Sequence, residues 1–288
     1  MKPAPRTLSL VEKYRPHKVA NFIGLSRPKA LLGNLLRAPR ACSMLFLGPP
    51  GTGKSTMALA FTRELNAALI SIPAAQCNLE TVEQAWEAIH YFPPAGKGPW
   101  WVIRVEEADK MSSAAQLALC SHMDSTSSLS FEFCGSVKET TAPPVIFIFT
   151  ANGGSYDGTA PPALLEPRFL SRCLLVPFSQ AAIEAALPRF LSWVWTRETG
   201  KAPLNGAIPR IAKLHQGAVR DALQALEVEL MVPESKSDWT LATCDEASWE
   251  CELCGKPIPA ATDFYLLGRR ARCKACAPKR TPKKGHKP

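Results

Sequence analysis

No run of apolar residues in this 288-residue chain approaches the roughly 18 that a bilayer-spanning helix requires. Between Met1 and Arg15 no apolar core precedes a cleavage site, so a secretory signal is not expected. Acidic residues are missing from Gly268 to Pro288, where nine basic side chains stand: Arg269, Arg270, Arg272, Lys274, Lys279, Arg280, Lys283, Lys284 and Lys287. The first two absences argue against a helical membrane protein and for a soluble, reducing, cytoplasmic setting. Ten cysteines in such a setting read as metal ligands or buried thiols rather than disulfides. The third absence places the charge. Residues 1–267 carry 25 basic and 25 acidic side chains, so the tail accounts for the whole formal charge of +9. A basic tail on a neutral body suits a polyanionic partner; a merely solubilising tail is the plainer alternative.

The most informative stretch is Gly48-Pro49-Pro50-Gly51-Thr52-Gly53-Lys54-Ser55-Thr56. Met44–Leu47 before it reads as a buried strand, and Met57-Ala58-Leu59-Ala60-Phe61 with Leu65 after it has helical spacing. A glycine-rich turn between a strand and a helix aims several backbone N–H groups at a phosphate, and the helix N-terminus adds partial positive charge. Lys54 would reach the β- and γ-phosphates and the Ser55 hydroxyl would hold Mg²⁺. A nucleoside triphosphate is therefore the predicted ligand.

At 46% hydrophobic residues, the chain has ample apolar content for a core, and its length suits two or three modules. Apolar runs at Met44–Leu47, Ala68–Ile72, Trp100–Val105, Val145–Thr150 and Cys173–Val176 alternate with helical patterns near Thr56–Leu65, Leu79–His90 and Ser112–Met123. That alternation predicts an α/β fold with a parallel sheet covered on both faces. Between Asp124 and Pro144, alternation around Gly135 suggests an inserted β-hairpin, either a loop that touches substrate or an edge decoration. After Pro177 the pattern turns helical. Ser179 opens a helix toward Thr199 that Pro188 would kink or split, and further helices are expected at Ile208–His215 and Ala218–Met231. The predicted organisation is a nucleotide-binding core over 1–177, a helical lid over 178–232, a linker over 233–248, a zinc ribbon over 249–278 and a basic tail over 279–288.

The ribbon rests on Cys251-x-x-Cys254 and Cys273-x-x-Cys276, 18 residues apart. Two such turns close a tetrahedron of four thiolates around Zn²⁺, which leaves no open position and so implies a structural metal. So short a segment needs metal binding for its folding energy, on the order of 10 kcal/mol or more. Cys244 is a spare thiol; Cys42, Cys77, Cys120, Cys134 and Cys173 read as small buried hydrophobes.

Beyond the phosphate loop, the order of motifs resembles the AAA+ ATPases, and within them the replication factor C type of clamp-loader small subunit, over about residues 8–232. Val11-Glu12-Lys13-Tyr14-Arg15-Pro16 resembles the adenine-side motif of that family. Glu106-Glu107-Ala108-Asp109-Lys110-Met111 resembles its acidic motif, and Asn152 falls at the sensor-1 position. Ser171-Arg172-Cys173 matches the arginine-finger motif, and Gly217–Leu223, with Arg220, resembles the sensor-2 helix. The resemblance implies that Glu107 orients or deprotonates the attacking water while Glu106 helps hold Mg²⁺. Asn152 would position the same water, and Arg220 would touch the γ-phosphate from the lid of its own subunit. Arg172 would enter a neighbour's site, so hydrolysis would need an oligomer of identical or different AAA+ subunits.

Glu106 stands where the family has Asp, Arg104 interrupts an apolar strand, and the Glu166-Pro167 to Ser171 spacing is one residue longer. A helical collar domain is not expected, because the cysteine module takes most of the residues after the lid. Three functions are expected to compete. The first is a DNA-associated, clamp-loader-like ATPase that loads or remodels a complex on DNA, with a sliding clamp or a replication or recombination protein as partner. The second is a ring motor of the branch-migration type, where a hairpin before sensor 1 also occurs. The third is a nucleotide-binding scaffold subunit that hydrolyses ATP poorly and uses the ribbon to dock protein.

Overall fold

The computed structural model describes residues 8–91, 93–124, 129–133, 136–140, 144–153, 161–203, 206–231, 240–243, 250–258, 263–267 and 270–276. The expectations for Cys134, Cys244 and the basic tail from 279 onward lie outside the described residues, as does most of the segment read as a linker.

In chain order the helices are α1 (Leu10–Lys13), α2 (Ser26–Arg37), α3 (Lys54–Glu64), α4 (Leu79–Ala88), α5 (Ser113–Asp124), α6 (Pro167–Leu170), α7 (Gln180–Glu184), α8 (Leu187–Thr199), α9 (Ala207–His215) and α10 (Val219–Met231). The strands are β1 (Cys42–Leu47), β2 (Ala68–Pro73), β3 (Trp101–Glu106), β4 (Leu129–Phe133), β5 (Ser136–Thr140), β6 (Val145–Ala151), β7 (Leu174–Pro177), β8 (Thr240–Thr243), β9 (Asp263–Leu267) and β10 (Arg270–Cys273). Two compact units divide the chain: Tyr14–Ala185, and Met1–Lys13 together with Ala186–Pro288.

In the first unit the five strands run in the order β2-β3-β6-β1-β7 and every neighbouring pair is parallel. Both faces are covered, which is why all seven residues of β6 and five of six in β1 and β3 are buried and why these segments read as unbroken apolar runs. Alternate residues divide between the two faces. Leu45, Leu47, Ile103, Val105, Phe147 and Phe149 join Val82, Trp86, Ala115 and Leu119 in one cluster beneath α4 and α5. The opposite face lies under α3, which packs against β3 and β6 and buries Met57 and Phe61. Helix α4 starts on a reciprocal cap: Thr81 N–H donates to Asn78 Oδ1 (2.9 Å) and Asn78 N–H to Thr81 Oγ1 (3.0 Å). Strands β4 and β5 pair antiparallel in the segment where alternation indicated a hairpin.

In the second unit α8, α9 and α10 pack on one another and α1 packs on α10. The helix expected from Ser179 to Thr199 is split. The helix α7 ends at Glu184 and α8 restarts at Leu187 with Pro188 in its first turn, where a missing N–H costs nothing. Ser179 stands at the N-cap of α7, but its side chain makes no capping bond. Arg210 pairs with Glu229 at 2.5 Å, joining α9 and α10 through two largely buried side chains. The cysteine segment forms a three-stranded antiparallel sheet in the order β10-β9-β8. Thr240–Thr243 lies within the stretch read as a linker yet supplies its strand β8, paired with β9. Four residues are too few for alternation to register, and the partner strand begins about twenty positions further on.

Candidate functional site: a phosphate loop beside an acidic strand end

The loop Gly48–Gly53 leaves β1 and enters α3, and it is shaped by what lies beneath it. A Cβ on Gly48 would sit 2.6 Å from the Phe178 carbonyl oxygen, so no other residue fits there. Gly51 and Gly53 have φ of 77° and 94°, the left-handed values that turn successive N–H groups into one concavity. Thr52 Oγ1 donates to Pro49 O (2.8 Å) and closes the turn. Lys54, the first residue of α3, is 9% exposed; its Nζ donates to Gly48 O (2.6 Å), Pro49 O (2.8 Å) and Asn152 Oδ1 (3.2 Å). A primary ammonium gathered onto loop carbonyls, with a concave row of amides beside it, is a donor set matched to the oxygens of a polyphosphate. Asn152 reaches the loop because β6 lies next to β1, with Leu47 opposite Ala151.

Acidic residues stand at the end of β3, two strands away. Glu106 and Arg104 share the α3 face of that strand. Arg104 is 8% exposed and donates to Ser71 Oγ through Nη2 (2.8 Å) and Nε (3.3 Å) and to Ser55 O through Nη1 (3.5 Å). Its Nη1 also lies 3.3 Å from Glu106 Oε1. Burial lowers the Arg104 pKa and Glu106 opposes that shift; a guanidinium keeps its charge in such a setting. The arginine that interrupted an apolar strand is therefore paired.

Glu107 lies in the left-handed region (φ 58°, ψ 47°), uncommon for a residue with a side chain. Its N–H donates to Thr150 Oγ1 (3.3 Å) and its carboxylate accepts from Lys110 Nζ (2.5 Å). Asn152 N–H donates to Asp109 Oδ1 at 3.4 Å. The loop, Glu106, Glu107 and Asn152 thus stand together at the carboxyl ends of adjacent parallel strands, where doubly wound sheets bind their ligands.

Arg172 lies elsewhere on the same unit, just before the edge strand β7. Asp124, the last residue of α5, accepts from its Nε (2.8 Å to each carboxylate oxygen) and Nη2 (2.6 Å), and Arg168 O accepts from Nη1 (2.8 Å). Both side chains of the pair are exposed to solvent in part. The motif Val11–Pro16 is divided: Val11, Glu12 and Lys13 belong to the helical unit, where Lys13 pairs with Glu198 (2.8 Å), while Tyr14, Arg15 and Pro16 belong to the sheet unit. Arg220 is exposed near the start of α10 in the helical unit.

Sequence reasoning missed three supporting residues: Asp124, Lys110 and Thr150. Thr150 had a faint signal, a hydroxyl closing an apolar strand. Asp124 had none, since only the fold brings it to an arginine 48 positions away.

The four thiols of Cys251, Cys254, Cys273 and Cys276 lie within 4.8 Å of one another, with Cys254 Sγ and Cys273 Sγ 3.9 Å apart. A tetrahedral centre with metal–sulfur bonds of about 2.3 Å has sulfur–sulfur edges of about 3.8 Å, so the group fits a divalent metal. Burial pushes the Cys251 thiol up, but backbone N–H groups of Cys254, Cys273 and Leu253 outweigh it and bring it down to about 7. Burial and the neighbouring sulfurs push Cys276 up to about 12. Four thiols this close cannot all ionise without a cation among them. Among the described residues of this segment, the buried apolar side chains are Cys251, Ile258 and Ala271, a small core to hold it.

The model of the family described as ATPase family associated with various cellular activities (AAA) matches residues 44–176. Replication factor C small subunit 2 of Pyrobaculum aerophilum is 29% identical over 237 residues, which cover 80% of this chain and 66% of that protein. The replication factor C small subunit of Methanococcus maripaludis is 25% identical over 234 residues, 79% of this chain and 66% of that one. The chain thus spans slightly under two thirds of these relatives' length. Among solved structures, the Thermotoga maritima RuvB Holliday junction branch migration motor superposes with a TM-score of 0.55 at 18% identity, over 74% of this chain and 64% of that one. At that identity the likeness concerns the fold. Among the described residues no helix is long and apolar enough to cross a membrane. The phosphate loop, the parallel sheet that carries it and these likenesses lead to one conclusion: residues 44–176 match the AAA family model, and the chain is similar, over four fifths of its length, to a small subunit of replication factor C.

Proposed function

We propose that this protein is a clamp-loader-like ATPase that acts on DNA together with other AAA+ subunits. The observation that carries this reading is the bond from Lys54 Nζ to Asn152 Oδ1, which ties the phosphate loop to the strand end where the attacking water would stand. In this reading Gly48, Pro49, Pro50, Gly51, Thr52, Gly53 and Thr56 cradle the phosphates of ATP, and Lys54 neutralises the β- and γ-oxygens. Ser55 and Glu106 hold magnesium, which when bound neutralises charge that develops on the phosphoryl oxygens. Glu107 orients the water and accepts its proton as the oxygen bonds to the γ-phosphorus and the bond to the β-phosphate oxygen breaks. Asn152 fixes the water by hydrogen bonding, and Arg220 reaches the γ-phosphate from the lid. Tyr14, Arg15 and Pro16 contact the adenine side.

Arg172 serves the site of an adjoining subunit. In support, it precedes an edge strand on which Leu174 and Leu175, on opposite faces, are 41% and 47% exposed, apolar surface at an edge suited to contact with another subunit. The Asp124 pair holds its guanidinium in one orientation meanwhile. The four cysteines bind zinc as a structural centre, and the basic tail docks on DNA phosphates, a salt-sensitive contact.

A poorly hydrolysing scaffold is the second reading, favoured by the Lys110 ammonium on the Glu107 carboxylate. Turnover and native mass separate the two. Wild-type protein with ATP, magnesium and primed DNA is expected to assemble and to hydrolyse ATP well above the rate of Glu107→Gln. Rates equal to that variant establish the scaffold, and failure to retain ATP refutes both.

A further inference from the structure

Arg104 stands where the site as described has no use for a cation. It lies on the same face of β3 as Glu106, contacts Glu106 Oε1 at 3.3 Å and reaches the Ser55 carbonyl at 3.5 Å. Both carboxylate and serine are the residues assigned to magnesium. Ser71 on β2, directly opposite in register, receives two of the arginine's N–H groups and fixes the plane of the guanidinium. At 8% exposure its charge is poorly screened by solvent, so it acts over the base of the phosphate loop as well as on its partner.

We propose that Arg104 is a positioning residue that acts as a built-in counter-cation, drawing Glu106 away from magnesium and contributing fixed positive charge beneath the phosphates. The inference rests on the nucleotide-binding reading of the loop. Two consequences follow from electrostatics. The arginine and magnesium compete for one carboxylate, so the site takes magnesium weakly. The fixed charge partly replaces the metal as a partner of the phosphates, so nucleotide binds appreciably without magnesium. The extra methylene of Glu106 fits this arrangement, because it lets the carboxylate extend from the strand to meet the guanidinium beside it.

The test measures binding of a fluorescent ADP analogue to full-length protein, with magnesium titrated from a chelated baseline. Arg104→Met removes the charge while keeping an unbranched side chain. It is expected to lower the half-saturating magnesium concentration by about tenfold and to weaken magnesium-free binding by a similar factor. Arg104→Lys, which keeps the charge, should stay near wild type in magnesium-free binding. Glu106→Gln is isosteric and serves if the arginine variants do not fold; it should strengthen magnesium-free binding, since the guanidinium is no longer neutralised. A folded Arg104→Met with the wild-type magnesium profile overturns the proposal, as does a Glu106→Gln whose magnesium-free affinity is unchanged. A wild-type protein that binds no nucleotide at saturating magnesium removes the underlying site as well. Binding with an unaltered magnesium profile removes the role of Arg104 alone.

Discussion

Replacing Gly48 by alanine should unsettle the phosphate loop from below, and the structure indicates by how much. The added Cβ would lie 2.6 Å from the Phe178 carbonyl oxygen, 2.8 Å from Phe178 Cβ and 3.3 Å from its carbonyl carbon. None of these is the free end of a flexible side chain. Phe178 is fully buried, its ring lies 5.2 Å from that of Phe46, and its N–H donates to Leu47 O at 2.6 Å. Relief therefore moves backbone by roughly half an ångström, and overpacking of this kind costs about 1–3 kcal/mol. For a unit of this size that lowers the melting temperature by roughly 2–12 °C, at about 2–4 °C per kcal/mol. Gly33→Ala is the internal control. Gly33 lies inside α2, and a Cβ there meets nothing within 4 Å. Alanine at that position should stabilise by about 0.5–1 kcal/mol through helix propensity. Thermal melts of the two variants beside wild type, followed by nucleotide titration, check both signs. If Gly48→Ala melts at or above wild type, or if both variants shift the same way, the packing argument is wrong.

Three further outcomes are expected. Glu107→Gln should hold nucleotide within about threefold of wild type while losing at least about a hundredfold in turnover, read by equilibrium binding and phosphate release; parallel losses in both would refute its role as base. Cys273→Ser, or treatment with a strong chelator, should release one zinc per chain by colorimetric assay and unfold the cysteine segment while leaving nucleotide binding in the sheet unit; protein purified without metal yet folded there would refute the zinc assignment. Burial raises the thiols of Cys42 and Cys77 to about 11 and that of Cys173 to about 12, so at pH 8 they should resist iodoacetamide until the protein unfolds, as mass spectrometry of the adducts would show. These thiols ionise more readily in the unfolded chain, so their contribution to stability is complete below the ordinary value of 9.0 and is lost as pH rises toward 11 and 12.

What the amino-acid order alone determined is local. Strands buried on both faces are unbroken apolar runs, so the five core strands were legible to within two residues at either end. A phosphate loop needs its glycines and lysine at fixed spacing within one short stretch, and a four-cysteine group needs two short turns, so both could be read directly from spacing. The division between α7 and α8 was legible because a proline is excluded from a helix interior and accepted in a first turn, where Pro188 stands. The tertiary structure decided what depends on neighbours distant in sequence. Sheet order placed Asn152 beside Lys54, pairing with Ser71 and Glu106 made Arg104 tenable inside β3, and the end of α5 supplied Asp124 to Arg172. Strand β8 emerged only through a partner later in the chain. Spacing along the chain is set by local geometry and leaves a pattern, whereas a contact between remote segments comes from packing the whole core and leaves no mark on either segment alone.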